Sequence, residues 1–353
     1  MNLLKNSTIV IIGVVVSNLL AYLFHFLAGR MLGPEEYGEF GALMSLYLLV
    51  ALPAGALSFG VTKYTAVFNS ANELNKIALL RKKIQDNVLI FSAFVLLFTI
   101  IFSRIIANFL KITSVVPIII VGITLVFALL YPINMGVLQG MKKFRQFSLN
   151  SIAESFTRVV LLSFFLWLGY GVNGAILAYG LAYFIAFLLV FLYIKEVRKE
   201  EARGDELEAR AIYRFIVQVL FVNIILQVIL NVPSLIIKHF YSSEFTGYWT
   251  AAMNIARISL FVSVAIAQVM FPEIAGEKDQ LVKKKIFRNA VLLVLLASSV
   301  IAIIFLVIPG IFIQILYGRA YTSAIPILQW LGFVMILFGL LQLWANYLMA
   351  RIE

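Results

Sequence analysis

Arg158 stands inside a long apolar stretch, with Glu154 four residues before it and Asn150 eight residues before it. Positions four apart share a helix face, so this spacing suits an intrahelical ion pair. Two chemistries are open to such a pair. It is self-neutralising and holds helices together, or Glu154 exchanges a proton or a sodium ion while Arg158 holds an anion. Arg257, with Asn254 three residues before it on the same face, lies nine residues into another apolar stretch, ~14 Å along it at 1.5 Å per residue. Charge at such depth is expensive and ordinarily faces a protein interior or a water-filled cavity. Arg30 closes the first apolar stretch and Lys63 the second. A guanidinium fork matches phosphate oxygens, and a boundary cation also reaches headgroups by snorkelling. Asn18, Tyr22 and His25 follow at i, i+4, i+7, and Asn223, Gln227 and Asn231 at i, i+4, i+8. Each trio marks one helix face, either for interhelical hydrogen bonds or for lining a wet path. His25 joins Glu154 as a candidate for ion coupling, although alone it reads as a packed histidine.

The elements that would carry these residues follow from composition. Of 353 residues, 63% are hydrophobic and 13% charged, with mean hydropathy +1.01. Soluble domains carry about a quarter charged residues, so the bilayer is the expected solvent. Ten stretches approach the ~20 apolar residues of a spanning helix: 7–32, 39–64, 86–109, 114–138, 147–169, 173–195, 212–237, 248–271, 288–316 and 323–350. They are continuous rather than alternating, which selects helices over a barrel. The first is too long for a cleaved signal and reads as a retained span. With the N-terminus inside, 21 of the 28 Lys and Arg residues fall in inner loops and five in outer ones, while Arg158 and Arg257 lie within spans. The net charge of +11 is therefore topological rather than a nucleic-acid signature. Amphipathic stretches at Glu73–Gln85 and Lys278–Asn289 read as inner-surface helices on anionic headgroups. Cysteine is absent, which removes thiol chemistry and disulfides. There are two histidines, three scattered aspartates and no HExxH, GxSxG or P-loop pattern, so the chain is not read as an enzyme and no cofactor is expected beyond H+ or Na+ coupling.

The segment "GRMLGPEEYGEF" (29–40) reads as a tight outer turn: Pro34 opens the second helix, and Glu35, Glu36 and Glu39 suit its positive N-terminal end. A shift of 209 residues lays "EEYGEFGALMSL" (35–46) over "EFTGYWTAAMNI" (244–255), with Gly38 over Gly247. The same shift puts Ala66 over Ala275, Lys76 over Lys285 and Pro117 over Pro326. The expected fold is an all-α polytopic membrane protein of two six-helix lobes in parallel repeat. Residues 1–195 form the first lobe, 196–211 a charged linker, and 212–353 the first four helices of a second, incomplete lobe. Ending after a span at "MARIE" reads as truncation.

Three segments carry a family resemblance: "AGRMLGPEEYGEFGALMS" (28–45), "GVLQGMKKFRQFSLNSIAESFTRVVL" (136–161) and "ILYGRAYTSAIPILQWL" (315–331). The chain resembles, over essentially its whole length, the polysaccharide transporter and oligosaccharide flippase family. That family shares a superfamily with multidrug and toxin extruders and the peptidoglycan lipid flippase. The resemblance implies alternating access between two lobes of the cytoplasmic membrane. Its implied cargo is a polyprenyl-pyrophosphate-linked oligosaccharide moved from the inner to the outer leaflet, with polysaccharide polymerase machinery as a partner. The cationic positions suit that anionic head. A cation-coupled drug extruder of the same fold and a non-transporting truncated copy are the alternatives.

Overall fold

A computed structural model describes residues 3–200, 209–276 and 279–350, and among these residues the chain is helical. The expected linker residues 201–208, Lys278 and the last three residues lie outside the described residues. The first helix, α1 (Leu3–Val50), breaks at Gly33, where φ is 73° and ψ 173°. That combination is open essentially to glycine alone, and Pro34 then supplies a preset φ for the helix that follows. A straight rod of 48 residues would run about 72 Å at 1.5 Å per residue, more than twice a ~30 Å hydrocarbon core. The break is what lets one helical run hold two spans. The expected turn thus contains a single non-helical residue rather than a loop.

The chain continues through α2 (Leu52–Ser70), α3 (Leu74–Ile101), α4 (Ser103–Leu110), α5 (Val116–Gly140), α6 (Phe144–Trp167), α7 (Gly171–Tyr193) and the short α8 (Lys195–Lys199). After the undescribed segment come α9 (Ala209–Phe240), α10 (Ser243–Ala256), α11 (Ile258–Gly276), α12 (Gln280–Val307), α13 (Pro309–Leu316), a 3-10 segment Arg319–Ala324 and α14 (Ile325–Ala350). Nine helical runs among the described residues are long and apolar enough to cross a membrane, and the first of them holds both halves of α1. Each of the ten expected stretches is helical over most of its length, with breaks at Ala51, Phe102, Arg257 and Ile308 inside four of them.

The two amphipathic stretches are not separate surface helices. Leu74–Gln85 forms the opening turns of α3, because Ile77, Leu80 and Ile84 are buried in a core shared with α2, α5 and α8. Gln280–Asn289 likewise opens α12, with Ile286 and Phe287 against the core of α11 and α14.

The repeat is visible in the elements, with a refined register. α10 starts 209 residues after Pro34, and α14 starts 209 after α5. Between them the offset falls to 206: α2 and α11 begin at 52 and 258, α3 and α12 at 74 and 280, α4 and α13 at 103 and 309. The intervening breaks, Ala51 and Arg257, carry matching hydrogen bonds, Ala51 N to Tyr47 O and Arg257 N to Met253 O. Pro117 and Pro326 are therefore equivalent, whereas Ala66 with Ala275 and Lys76 with Lys285 are coincidences of an offset that does not apply there. Three residues are lost before the second break and regained in the 3-10 segment.

The chain divides into two compact units, one of residues 1–32 with 39–241 and one of residues 33–38 with 242–353. In the first, α5 is the central rod, packed on α2, α3 and α7, while α6 covers α7 and α9 lies on α2 and α4. In the second, α14 packs on α10, α11 and α12.

Candidate functional site

Apolar helices can bury a polar group only by giving it partners, so the buried polar residues locate the site. In the first unit they gather around Arg158 on α6, which is 7% exposed. Its Nη2 donates to Glu154 Oε2 at 3.4 Å and to Ser155 Oγ at 3.4 Å. Both are longer than the ~2.8 Å of a tight charge-assisted bond. The guanidinium carbon lies 4.5 Å from the centre of the Tyr179 ring and 5.7 Å from that of Phe24. A desolvated cation over an aromatic face gains roughly 2 kcal/mol. Arg158 Nε and Glu154 Oε1 are both buried without a protein partner.

Tyrosines wall this pair. Tyr179 and Tyr183 are one turn apart on α7, Tyr47 comes from α1 and Tyr131 from α5. Ring centres run 6.1 Å from Tyr47 to Tyr179, 6.5 Å from Tyr47 to Tyr183 and 5.7 Å from Tyr131 to Tyr183. Tyr131 donates to Asn150 Oδ1 at 2.9 Å, and Asn150 Nδ2 donates to the Ala186 carbonyl at 3.2 Å. Asn134, one turn beyond Tyr131 and fully buried, has neither amide atom partnered within the protein. His25 Nε2 is 3.4 Å from the Tyr179 hydroxyl. Arg158 and His25 therefore meet at Tyr179, and Glu154 joins them through Arg158. The α7 spacing Tyr179, Tyr183 was a legible signal, since hydroxyls one turn apart mark a polar face.

The other expected residues of this unit lie apart. Asn18 and Arg30 are exposed and Tyr22 is half-buried, with its ring against Phe26. Lys63 is exposed, its Nζ 4.0 Å from the centre of the Phe215 ring on α9. On α9, Asn223 Nδ2 donates to the Val219 carbonyl, and Asn231 Nδ2 to both the carbonyl and Oε1 of Gln227, each at 2.9 Å. The stripe is on one face and much of its hydrogen bonding stays within its own helix. Further out on α9, the side chain of Lys238 is 1% exposed and donates to the Lys111 carbonyl at the end of α4. That placement suits a cation at a helix C-terminus.

In the second unit, Asn254 Nδ2 donates to the Tyr37 hydroxyl at 2.9 Å, and Tyr37 shares a 3.2 Å hydroxyl contact with Tyr317. Tyr317 and Tyr321 lie 5.2 Å apart, and all three tyrosines are buried. Arg257 is half-buried at the break between α10 and α11, the fifteenth residue from Ser243, so it sits ~20 Å along the rod rather than the shorter depth expected. Nearby, a Cβ on Gly38 would come 1.9 Å from the Ser243 carbonyl oxygen, and one on Gly247 1.9 Å from that of Pro34. Positions 34 and 38 map onto 243 and 247 at the 209 offset, so this contact is reciprocal: each strand of it meets the other's equivalent.

A helical multi-pass membrane protein with a buried charged centre has the general form of a transporter. A model of the polysaccharide biosynthesis protein family matches residues 3–276, and the chain belongs to that family. No curated protein sequence matches it. Among solved structures it resembles an inward-facing multidrug resistance MATE family transporter of the MOP superfamily, with TM-score 0.78 and 13% identity over 95% of this chain and 80% of the other. It also resembles the lipid II flippase MurJ in an inward closed conformation, with TM-score 0.71 and 14% identity over 96% and 76%. A Pyrococcus furiosus MOP superfamily transporter, described as having a binding pocket of reverse polarity, gives TM-score 0.53 and 16% identity over 98% and 95%. These likenesses establish a shared fold.

Proposed function

We propose that the protein is a flippase that carries a lipid-pyrophosphate-linked oligosaccharide from the inner to the outer leaflet by alternating access. In this reading it sits in the cytoplasmic membrane with its N-terminus inside. It performs no covalent chemistry and hands its cargo to polysaccharide polymerase machinery. The observation that carries the reading is Arg158. A guanidinium sunk in a helical bundle, with Nε unpartnered and its carboxylate contact long, retains capacity for an anion. Tyrosine hydroxyls beside it supply neutral hydrogen bonds of the kind a pyrophosphate or sugar takes, and the unpartnered amide of Asn134, one turn from Tyr131, is a further candidate. Arg257, Asn254, Arg30, Lys63 and the stripes at Asn18, Tyr22, Asn223, Gln227 and Asn231 then mark successive stations for the polar head, while the tail stays in lipid. The proposed lobes are residues 1–195 and 212–353, joined in sequence by the charged 196–211 linker.

A second reading is favoured by Glu154, whose Oε1 is buried and unpartnered, and by the similarity in fold to MATE transporters. There Glu154, with His25 nearby, couples H+ or Na+ to export of an organic cation. One experiment separates the two. Vesicles reconstituted with the full chain are loaded with a fluorescent polyprenyl-pyrophosphate oligosaccharide, and in parallel with a cationic dye. Arg158→Lys should slow translocation of the glycolipid at least tenfold and leave the dye unaffected. Loss of dye transport with intact glycolipid movement would establish the extruder instead.

A further inference from the structure

The end of the first unit where α3 begins and α7 ends carries a second cationic feature that the transport reading does not use. α8 is five residues long, and its Val197 is fully buried in the core that includes Ile77, Leu80 and Ile84 of α3. Seating Val197 fixes its neighbour. Arg198 lies seven residues beyond Phe191, two helical turns on, and its guanidinium carbon is 4.7 Å from the Phe191 ring centre. From α3, Arg81 reaches the same ring, with its guanidinium carbon at 6.0 Å. The two cationic carbons therefore lie at most about 11 Å apart, and they repel one another.

Like charges converging on one ring need an explanation: the carboxylate acting on Arg81, Asp86, has a smaller effect than Arg198 and among the described residues forms no ion pair with it. The only acid of α8, Glu196, is taken by Lys143 at 3.0 Å, and Lys143 is itself anchored on the Tyr193 carbonyl. Arg81 donates Nη1 to the neutral Gln85 side chain, and its buried Nε has no protein acceptor. Among the described residues neither guanidinium makes an ion pair. Arg198 is exposed and Arg81 half-buried, and both guanidinium groups lie within reach of the Phe191 ring. Lys82, Lys195 and Lys199 surround it in the sequence, and all three are exposed.

We infer that Arg81, Arg198 and Phe191 form a binding site for a phosphate group, set apart from the Arg158 centre, whose occupant ties α8 to the first turns of α3. Guanidinium forks bind phosphate oxygens bidentately, and an aromatic floor preorganises their planes. The phosphate comes from an anionic phospholipid headgroup or from a soluble phosphate. At a membrane surface the lipid is the more concentrated source.

The full chain, purified in neutral detergent, tests this by thermal unfolding with phosphatidylglycerol, phosphatidylcholine, inorganic phosphate or laurate at matched ionic strength. The site requires phosphatidylglycerol, inorganic phosphate or both to raise the melting temperature by about 5 °C at hundredfold saturation. The double variant Arg81→Gln, Arg198→Gln should lose more than half of that rise. Response to phosphatidylglycerol alone identifies the lipid headgroup as the source, and equal response to inorganic phosphate identifies a free anion. Lys82→Gln with Lys83→Gln removes the same charge from exposed neighbours and should keep the response. An undiminished response in the arginine variant overturns the site. So does an equal loss in the lysine control, or an equal rise with laurate. Because Arg198 is exposed, Arg198→Gln alone carries the test if the double variant does not fold. None of these outcomes bears on glycolipid movement through the Arg158 centre.

Discussion

In the first unit a buried arginine stands within a wall of four tyrosines, from three helices, that surrounds it and its carboxylate. In the second unit the tyrosines bond to one another and to Asn254, and Arg257 occupies a helix break, half-buried. The same residue types thus serve opposite ends. Around Arg158 the Tyr179 ring faces the charge, the other hydroxyls bond elsewhere, Tyr47 with Tyr183 and Tyr131 with Asn150, and Arg158 Nε and Glu154 Oε1 are left unpartnered, which is the condition proposed for a site. Around Tyr37 the hydroxyls satisfy each other and lock a crossing where Gly38 and Gly247 let backbone meet backbone, which is the condition of a joint. Charge in a bundle is tolerated where partners are numerous but incompletely used. Close packing is achieved where they are used up.

The largest expected effect breaks the first of these regions. Arg158→Ala leaves the Glu154 carboxylate buried without its cation, and removing one member of a buried pair costs about 3–5 kcal/mol. The double variant Glu154→Gln, Arg158→Gln removes both charges and should be markedly more stable than Arg158→Ala, by calorimetry or by unfolding in detergent. If the double variant is no better than the single, Glu154 does not depend on Arg158 and the ion pair is incidental. On the proposed flippase reading both variants should lose glycolipid translocation, which separates stability from function.

Next comes the joint. Gly247→Ala places a Cβ 1.9 Å from the Pro34 carbonyl oxygen, so backbone must move. Overpacking of this kind costs about 1–3 kcal/mol. Gly38→Ala should cost a similar amount, because its clash with Ser243 is the equivalent one. Gly55→Ala is the control: nothing lies within 4 Å of its Cβ position, and alanine in a helix should stabilise by up to about 1 kcal/mol. Equal melting temperatures for all three variants would show that the reciprocal contact is not close-packed in the membrane.

Arg257→Gln sharpens the comparison between the two arginines. Half-burial at a break leaves the side chain access to water, so the stability change should stay below about 1 kcal/mol. Translocation should fall severalfold if the residue meets the cargo. A large loss of stability would instead make Arg257 a structural partner of its own unit, as Arg158 is of Glu154.

Hydropathy made the helices readable, because each span has only lipid or protein to face and both accept apolar side chains. The 209-residue register was readable at the hairpin and at Pro117 and Pro326, where glycine and proline mark backbone geometry. It was not readable between them. Ala66, Ala275, Lys76 and Lys285 matched by composition, while the three-residue offset arose from where the second helix breaks. Pro53 explains the first break, but the second, at Arg257, has no proline to announce it. Likewise Glu154 and Arg158 could be paired from their spacing, whereas Tyr47 and Tyr131 reach the same place from separate helices. No local spacing encodes that convergence. The amphipathic starts of α3 and α12 misled for a related reason: Ile77, Leu80 and Ile84 form a stripe that suits a bilayer surface or a helical neighbour equally well, and only the fold decides.

The smallest effect belongs to α9. Asn223 bonds to the carbonyl of its own preceding turn, so replacing it with leucine gives up little tertiary hydrogen bonding, on the order of the 0.6 kcal/mol of a typical membrane contact. Stability should therefore hardly change in Asn223→Leu. Transport is the sensitive readout: if the stripe faces a wet path, an apolar side chain there should slow translocation even though the fold is intact. A variant that is both as stable and as fast as the original would reduce the Asn223, Gln227, Asn231 stripe to helix-internal bonding. The proposed polar path would then lose its α9 stations, leaving the tyrosine-walled centre around Arg158 as its core.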